Sequence, residues 1–358
     1  MSRICLNMIV KDEAPVIGRC LASVRPFIDH WVIVDTGSSD GTQALVQQHL
    51  AGLPGRLHER PWRHFEHNRN EALALARGEI DAADWVFFID ADETLVLAPG
   101  WQRPPLQADA YHLDCHYAGL VYARTALVAA RLPWRWEGVV HEALACEPPH
   151  RIDGLSGLHV QVAHDGARSR DPDTYRKDAA LLEAALREQP EHPRNAFYLA
   201  QSLRDAGELA RSRDAYRRRA TMGGWEEETW HALYQAAVLT ERLGEPAADI
   251  SQAYLQAYNR RPSRAEPLVQ LARWHRERAE HPLALLYARQ AAALPRPADL
   301  LFVEDPVYRW QALDELSVSA WYAGARPEGR QAVQRLLALD GLPDAVRSRA
   351  LANARFYD

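Results

Sequence analysis

Two aspartates one residue apart, Asp90 and Asp92, close the apolar run Trp85 to Ile89 in the segment DWVFFIDADETL (Asp84 to Leu95). Alternate residues of an extended chain point to one side, so both carboxylates can address a common target. Such a pair suits a hard divalent cation, Mg2+ or Mn2+, whose remaining positions go to phosphate oxygens and water. The cation would offset negative charge growing on a departing nucleoside diphosphate. Taken alone, the pattern equally describes a solvated turn.

A second acidic strand end lies in WVIVDTGSSDGT (Trp31 to Thr42). Its Asp35-Thr36-Gly37 is also the string around a pepsin-like catalytic aspartate. That chemistry needs two aspartates sharing a proton, one from each β-rich lobe. The string occurs once here and leads at Asp40-Gly41-Thr42 straight into a helical pattern, so the protease reading fails. No G-x-G-x-x-G and no G-x-x-x-x-G-K-[ST] occurs, which leaves dinucleotide and P-loop chemistry unsupported.

The elements that must position these carboxylates are legible as alternation. Ile4 to Val10, Trp31 to Asp35, Gly55 to Glu59 and Trp85 to Ile89 read as strands, separated by helical spacing over Ala14 to Val24, Thr42 to Leu50 and Asn68 to Ala76. Strands alternating with helices imply parallel crossovers, hence an α/β domain. Ligands of such sheets bind beyond the carboxyl ends of the strands, where Asp35 and the Asp90/Asp92 pair both fall. Ala110 to Tyr117, Leu120 to Val128 and Leu158 to Val162 read as further strands, a mixed extension of the sheet.

From about Asp171 the composition turns to alanine, arginine, glutamine and leucine. Asn195 to Arg219, Glu228 to Pro262 and Ala265 to Pro295 each read as helix, turn, helix, with a looser copy over Pro306 to Leu339. Gly207 and Gly244 are 37 residues apart, and Pro262 and Pro295 are 33 apart. That period suits tetratricopeptide-type helix pairs. The expected division is 1–168 for the α/β domain and 169–358 for the helical repeats.

With 358 residues and 47% hydrophobic content, the chain can bury two cores. A net charge of −6 speaks against a sequence-independent nucleic-acid binder, which releases phosphate counterions with a cationic surface. The four cysteines, Cys5, Cys20, Cys115 and Cys146, form no CxxC pair, and the N-terminal apolar run is too short for a signal core. No run of about 18 apolar residues occurs, so no membrane span is expected. A reducing, cytoplasmic location is the corresponding expectation.

LNMIVKDEAPVIGRCLASV, VDTGSSDGT, FEHNRNEALALARG and FFIDADETL, in this order, resemble a family 2 glycosyltransferase with a GT-A, Rossmann-like fold. WRWEGVVHEAL (Trp134 to Leu144) and HVQVAHDG (His159 to Gly166), followed by repeats, resemble its tetratricopeptide-containing branch, which includes enzymes that modify bacterial peptides and proteins. The resemblance covers residues 2–166 with specific motifs and the repeats less specifically.

What the resemblance implies can be written residue by residue. Asn7, Lys11 and Glu13 would border the nucleoside pocket, Asp35 would hold the base or ribose, and Asp40 would cap the next helix. Arg69 and Asn70 would face the donor, Arg69 reaching its diphosphate. Asp90 would contact ribose or metal, Asp92 would ligate metal and serve catalysis, and His164 would be a third metal ligand, favouring Mn2+ over Mg2+. An inverting transfer also needs a base near the acceptor. Glu142 is the first choice, after the aromatic loop Trp134-Arg135-Trp136, which is suited to sugar or acceptor stacking; Asp114 is the alternative, and Glu93 more naturally supports the metal motif. Trp62, His64 and Phe65 form a second aromatic loop, for closure over the donor or for packing.

The expected activity is thus metal-dependent, inverting transfer from a nucleotide-diphosphate sugar, a UDP-sugar first, to a peptide or protein recruited by the repeats. The repeats are also a candidate homodimer surface. Competing readings are transfer to a small-molecule or glycan acceptor, a non-catalytic scaffold with a degenerate first domain, and a nucleotidyltransferase. The intact Asp90-Ala-Asp92 opposes the scaffold. The absence of a glycine-rich, arginine-containing loop after the first strand opposes the nucleotidyltransferase.

Overall fold

The computed structural model describes residues 2–117, 120–299 and 301–357. They fall into two compact units, Met1–Glu188 and Gln189–Asp358. The composition change suggested a boundary at 168; the first unit runs on through two helices to Glu188.

The first unit opens with β1 (Ile4–Val10), α1 (Ile17–Val24), β2 (His30–Asp35), α2 (Thr42–His49), β3 (Gly55–Glu59), α3 (Phe65–Glu79) and β4 (Trp85–Phe88). It continues with β5 (Glu93–Leu97), β6 (Ala110–Tyr117), β7 (Leu120–Ala129), β8 (Arg135–Glu137), β9 (Ala143–Ala145), β10 (Ile152–Val162), α4 (Ala167–Arg170) and α5 (Thr174–Glu188). Eight strands form one sheet in the order β3-β2-β1-β4-β7-β6-β10-β5. The half from β3 to β4 is parallel, as the crossovers require. β7 then runs antiparallel to both neighbours, and β10 returns parallel to β6. The expected mixed extension is therefore present, with β5 at its edge and a separate β8–β9 hairpin that the sequence pattern did not reveal.

Strand alternation sorts side chains between two cores. Ile4, Leu6 and Met8 of β1 pack with Ile17 and Leu21 of α1 and Val46 of α2 on one face. Cys5 packs with Val32 and Ala76 of α3 on the other, beside a cluster of Leu73, Phe88, Val128, Trp134 and Trp136. A sheet apolar on both faces holds its strands deep in the domain and delivers their polar ends to one rim.

The second unit comprises α6 (Pro193–Asp205), α7 (Leu209–Thr221), α8 (Glu226–Arg242), α9 (Ala247–Arg260), α10 (Glu266–Glu277), α11 (His281–Ala293), a π-helical turn (Val307–Gln311), α12 (Ala312–Tyr322), α13 (Arg326–Leu337) and α14 (Asp344–Ala354). The expected hairpins are α6–α7, α8–α9 and α10–α11, and the looser copy is α12–α13. All four share one turn. The N–H of Glu208, Glu245, Glu280 or Ala325 bonds back to the carbonyl of Leu203, Thr240, His275 or Ala320, five residues earlier. This six-to-one closure needs a left-handed residue just before the donor. Gly207, Gly244 and Gly324 supply it, and Ala279 takes the same conformation at φ 58°. That substitution hid the third turn from a glycine search.

Candidate active site

Val10 of β1 pairs with Asp35 of β2, and Asn7 of β1 pairs with Phe88 of β4, so Asp35 and Asp90 emerge on either side of the β1 carboxyl end. Asp35 is 1% exposed. Its Oδ1 accepts from the N–H groups of Gly37 and Ser38, both at 2.9 Å, and from Gln43 Nε2 at 3.2 Å. Its Oδ2 is buried without a hydrogen-bond partner in the described structure. A buried carboxylate oxygen left unpaired is costly, so this atom is set to accept from something the chain does not supply.

The loops after β1 and β2 are laced together. Asp12 Oδ1 accepts from Ser39 N–H at 2.8 Å, Glu13 N–H donates to Thr42 Oγ1 at 2.8 Å, and Ala14 N–H donates to Asp40 Oδ2 at 2.9 Å. Asp40 Oδ1 also accepts from the N–H of Thr42, the first residue of α2, at 3.1 Å; the N-cap position itself is Gly41, at φ 93° and without a side-chain cap, so Asp40 stands one residue before the expected capping position. Lys11 is exposed. The Glu13 carboxylate accepts from Ala167 N–H at 2.9 Å. Burial, with Asp92 nearby, raises its pKa to about 7.

Arg69 is the hub. Its Nη2 donates to Asp90 Oδ1 at 2.7 Å, its Nε donates to Glu142 Oε1, and its guanidinium lies 4.9 Å from the centroid of Trp136. A second arginine, Arg124 on β7, donates to Glu93 at 2.9 and 2.5 Å and stands 3.7 Å from Asp90 Oδ2. Burial opposes the charge on Asp90, but Arg69 and Arg124 outweigh it and hold that carboxyl well below its usual range. Glu93 is 3% exposed, and its Oε2 accepts from the Asp90 N–H at 3.0 Å, fixing the turn that carries the acidic pair. The sequence reading of Glu93 as support matches this geometry; Arg124, inside a strand without a motif, was missed.

Asp92 has a half-buried carboxylate whose Oδ2 accepts weakly from Gly166 N–H at 3.3 Å, while Arg19 donates to its main-chain carbonyl at 3.1 Å. Arg19 also pairs with Asp165 at 2.7 Å. The segment after β10 is thus tied to the acidic rim at Asp165, Gly166 and Ala167. His164 is exposed at φ 55°, its ring stacked on Tyr117 with centroids 4.2 Å apart. Among the described residues, no three His, Cys, Asp or Glu side chains are gathered to hold a metal ion, so Asp90, Asp92 and His164 are not brought together as a preformed cage.

Three expected ligand contacts are spent on the scaffold. The Asn7 amide donates to Val32 O at 3.1 Å and Ala72 O at 3.0 Å, fastening β1 to β2 and α3. Asn70 both donates to Trp136 O and accepts from Trp136 N–H, each at 2.8 Å, clamping β8 to α3. Trp134 and Trp136 are 2% and 8% exposed, with Trp136 edge-on to Phe88 at 5.0 Å. Their rings belong to the core and are not a stacking surface for sugar. Trp62 and Phe65 remain partly exposed and pack against each other at 4.8 Å. Glu142 is 10% exposed and reaches the site only through Arg69. Asp114 faces solvent in the middle of β6.

Comparison with known proteins agrees with this arrangement. Residues 5–101 match the family described as Glycosyl transferase family 2. A TPR repeat-containing protein of Synechococcus elongatus is 30% identical over 316 residues, covering 82% of this chain and 76% of its own. The lipopolysaccharide core biosynthesis glycosyltransferase LpsC of Rhizobium meliloti is 42% identical over 93 residues, 26% of this chain and 30% of its own. The SPbeta prophage-derived glycosyltransferase SunS of Bacillus subtilis is 24% identical over 217 residues, 56% of this chain and 49% of its own. The acidic rim on a mixed sheet, the helix-pair repeats and these relatives converge: the chain belongs to the family 2 glycosyltransferases that carry tetratricopeptide repeats.

Proposed function

We propose that this glycosyltransferase moves a sugar from a nucleotide-diphosphate donor, a UDP-sugar first, to a peptide or protein recruited by its repeats, with inversion at the sugar carbon. The observation that carries the donor assignment is the unpartnered, buried Oδ2 of Asp35, which lies across the β1 carboxyl end from the acidic pair at Asp90 and Asp92. That oxygen is suited to accept from a base N–H or a ribose hydroxyl. Lys11 and Glu13 border the same rim.

The donor set fits a divalent cation. Asp92 offers a carboxylate with one weak protein contact, and oxygen-only ligation at Asp92 and Asp90 suits Mg2+ or Mn2+. His164 would have to leave its stack on Tyr117 to join them. Bound there, the cation supplies charge stabilisation for the leaving diphosphate. The chain's own residues do the remaining work. Arg69 and Arg124 set positive charge beside Asp90, and Glu142, once released from Arg69, would take a proton from the acceptor.

LpsC is named for lipopolysaccharide core biosynthesis, which supports a second reading in which the acceptor is a glycan. A homodimer through the repeats and action in the cytoplasm complete the proposal; among the described residues no helix is long and apolar enough to cross a membrane.

A thermal-shift panel of nucleotide sugars with and without Mn2+ tests the donor half, because a ligand of the native state raises Tm. Stabilisation by a UDP-sugar only when Mn2+ is present is the expected result. Asp92→Ala should abolish that metal-dependent gain and sugar transfer, leaving the ligand-free Tm within about 2 °C, since a half-exposed side chain carries little stability. Undiminished turnover in this variant would overturn the metal assignment.

A further inference from the structure

One connection in the repeats is long. Between α11 and the helical residues 305–306 that lead into the π-helical turn, residues 294–304 include no regular element among those described. This one is held along one face of α8. Leu301 N–H donates to Glu227 at 2.7 Å, and the Phe302 ring lies 4.6 Å from that of His231. Glu304 N–H donates to Glu266 at 3.2 Å, and Glu304 lines a cleft with Tyr234. Glu227, His231 and Tyr234 follow helical spacing and share that face.

Two arginines read the segment. Arg261 donates to both oxygens of Asp299, each at 2.6 Å. Arg264 is fully buried, 3.7 Å from the centroid of Trp230. It donates to Asp299 Oδ2 at 3.1 Å, Leu301 O at 3.2 Å and Phe302 O at 2.9 Å. Leu301 packs against the cluster of Phe197, Ala200 and Leu239. A buried guanidinium that is anchored by Glu266 and also takes the Asp299 carboxylate and the Leu301 and Phe302 carbonyls makes contacts that a peptide of the same sequence could make. Phe302 is in the left-handed region at φ 46° and 51% exposed, so this backbone is imposed by the surface beneath it. Beyond the segment the same helix face continues as an open cleft of about 280 Å³ between Tyr234, Val238, Glu241 and Arg273.

We infer that this face of α8, with Arg261 and Arg264 at its end, is the peptide-docking surface of the repeats. Its partner is a peptide segment carrying a carboxylate two residues before a bulky apolar side chain, the chemistry of the Asp299 and Leu301 now seated there. The inference rests on the reading that the repeats recruit a peptide or protein acceptor, and it names the class of sequence recruited. An incoming segment exchanges with the resident one contact for contact: its carboxylate onto Arg261, its carbonyls onto Arg264, its apolar side chain against Phe197 and Leu239.

The test uses the full chain and a fluorescein-labelled synthetic peptide with the sequence of residues 296–305, read by anisotropy. The Asp299→Ala, Leu301→Ala double variant weakens the resident occupant by removing its carboxylate and its apolar anchor, and at least about tenfold tighter peptide binding than by the wild type is expected, because a tethered competitor acts at high effective concentration. Adding Arg261→Ala should abolish that gain, and a peptide with alanine for its aspartate should not bind. Should the double variant melt early, Asp299→Ala alone provides the same comparison, because it removes the carboxylate held by Arg261 and Arg264. Equal binding by wild type and variant, or binding by neither, overturns the inference. A wild-type dimer that the peptide dissolves would identify a second copy as the occupant and also overturn it. Peptide binding without any effect on sugar transfer would support the docking surface while refuting the acceptor reading.

Discussion

Arg69 and Glu142 form an ion pair through Nε and Oε1 while the other arm of the same guanidinium holds Asp90 at 2.7 Å. The expected proton acceptor and the expected donor-side carboxylate are thus tied to one buried cation. Burial disfavours charge on Arg69, but its two carboxylate partners raise its pKa further above the usual arginine value. A diphosphate entering at Asp90 would draw on the same guanidinium, which would link donor binding to release of Glu142 through shared charge.

Arg124 supports this pair from behind, and its removal should be felt as stability. Glu93 is 3% exposed and takes both Arg124 bonds. Arg124→Met leaves a buried carboxylate with only the Asp90 N–H, at a cost of about 3 kcal/mol. Adding Glu93→Gln should restore most of the loss by removing the uncompensated charge. Urea unfolding of the two variants checks this, and equal stability of Arg124→Met and the wild type would show that water already serves Glu93.

Gly166 tests whether Asp92 must stand where it does. Its φ of −68° is open to any residue, so alanine introduces no backbone strain. A Cβ would nevertheless lie 3.1 Å from Cγ and Oδ2 of Asp92, closer than ordinary contact. The carboxylate would have to shift by a few tenths of an ångström. Gly166→Ala should lower kcat/KM by about tenfold with little change in Tm, as small misplacements at a reacting centre do. Unaltered kinetics at every Mn2+ concentration would mean that the Asp92 position is not critical.

Much of this site was legible because its causes are local. Apolar runs ending in Asp35 and Asp90 identify strand ends, and parallel crossovers bring such ends to one rim. The residues whose side chains are taken up by the scaffold depend on partners far along the chain. Asn7 is satisfied by Ala72, and Asn70 by Trp136, through bonds that no spacing rule anticipates. Trp134 and Trp136 looked like an exposed aromatic loop because burial against Phe88 is decided by the sheet. Arg124 carries no motif, and its meaning comes only from facing Glu93 across 31 residues. The repeats were legible from glycine-marked turns, except where Ala279 adopts the glycine conformation.

His231 gives the repeats a defined pH response. Its ring is 5% exposed, both nitrogens are unpartnered in the described structure, and burial lowers its pKa to about 3 from an ordinary 6.5. The folded state therefore keeps it neutral while the unfolded chain protonates it. A depressed folded pKa contributes stability that is complete above pH 6.5 and is lost progressively as pH falls toward 3. His231→Phe should flatten the fall in Tm between pH 7 and pH 5 relative to the wild type. Parallel Tm curves for the two proteins would show that the unfolded state carries no extra proton at this position.

Glu142→Gln separates a base from a mere partner of Arg69. Glutamine keeps the shape and can still accept from Arg69 Nε, but it cannot take a proton from an acceptor. If Glu142 is the base, kcat should fall by roughly 10²- to 10⁴-fold, the usual contribution of general base catalysis, while UDP-sugar binding changes little. The acid limb of the kcat–pH profile should vanish as well, because that limb reports deprotonation of the base. If Glu142 only balances Arg69, kcat should stay near the wild-type value and Tm should drop, since a buried guanidinium loses one of its two charged partners. A second substitution sharpens the division. Glu142→Asp retains a carboxylate on a shorter stem, so partial recovery of kcat over Glu142→Gln requires the proton acceptor itself, whereas recovery of Tm alone requires only the charge.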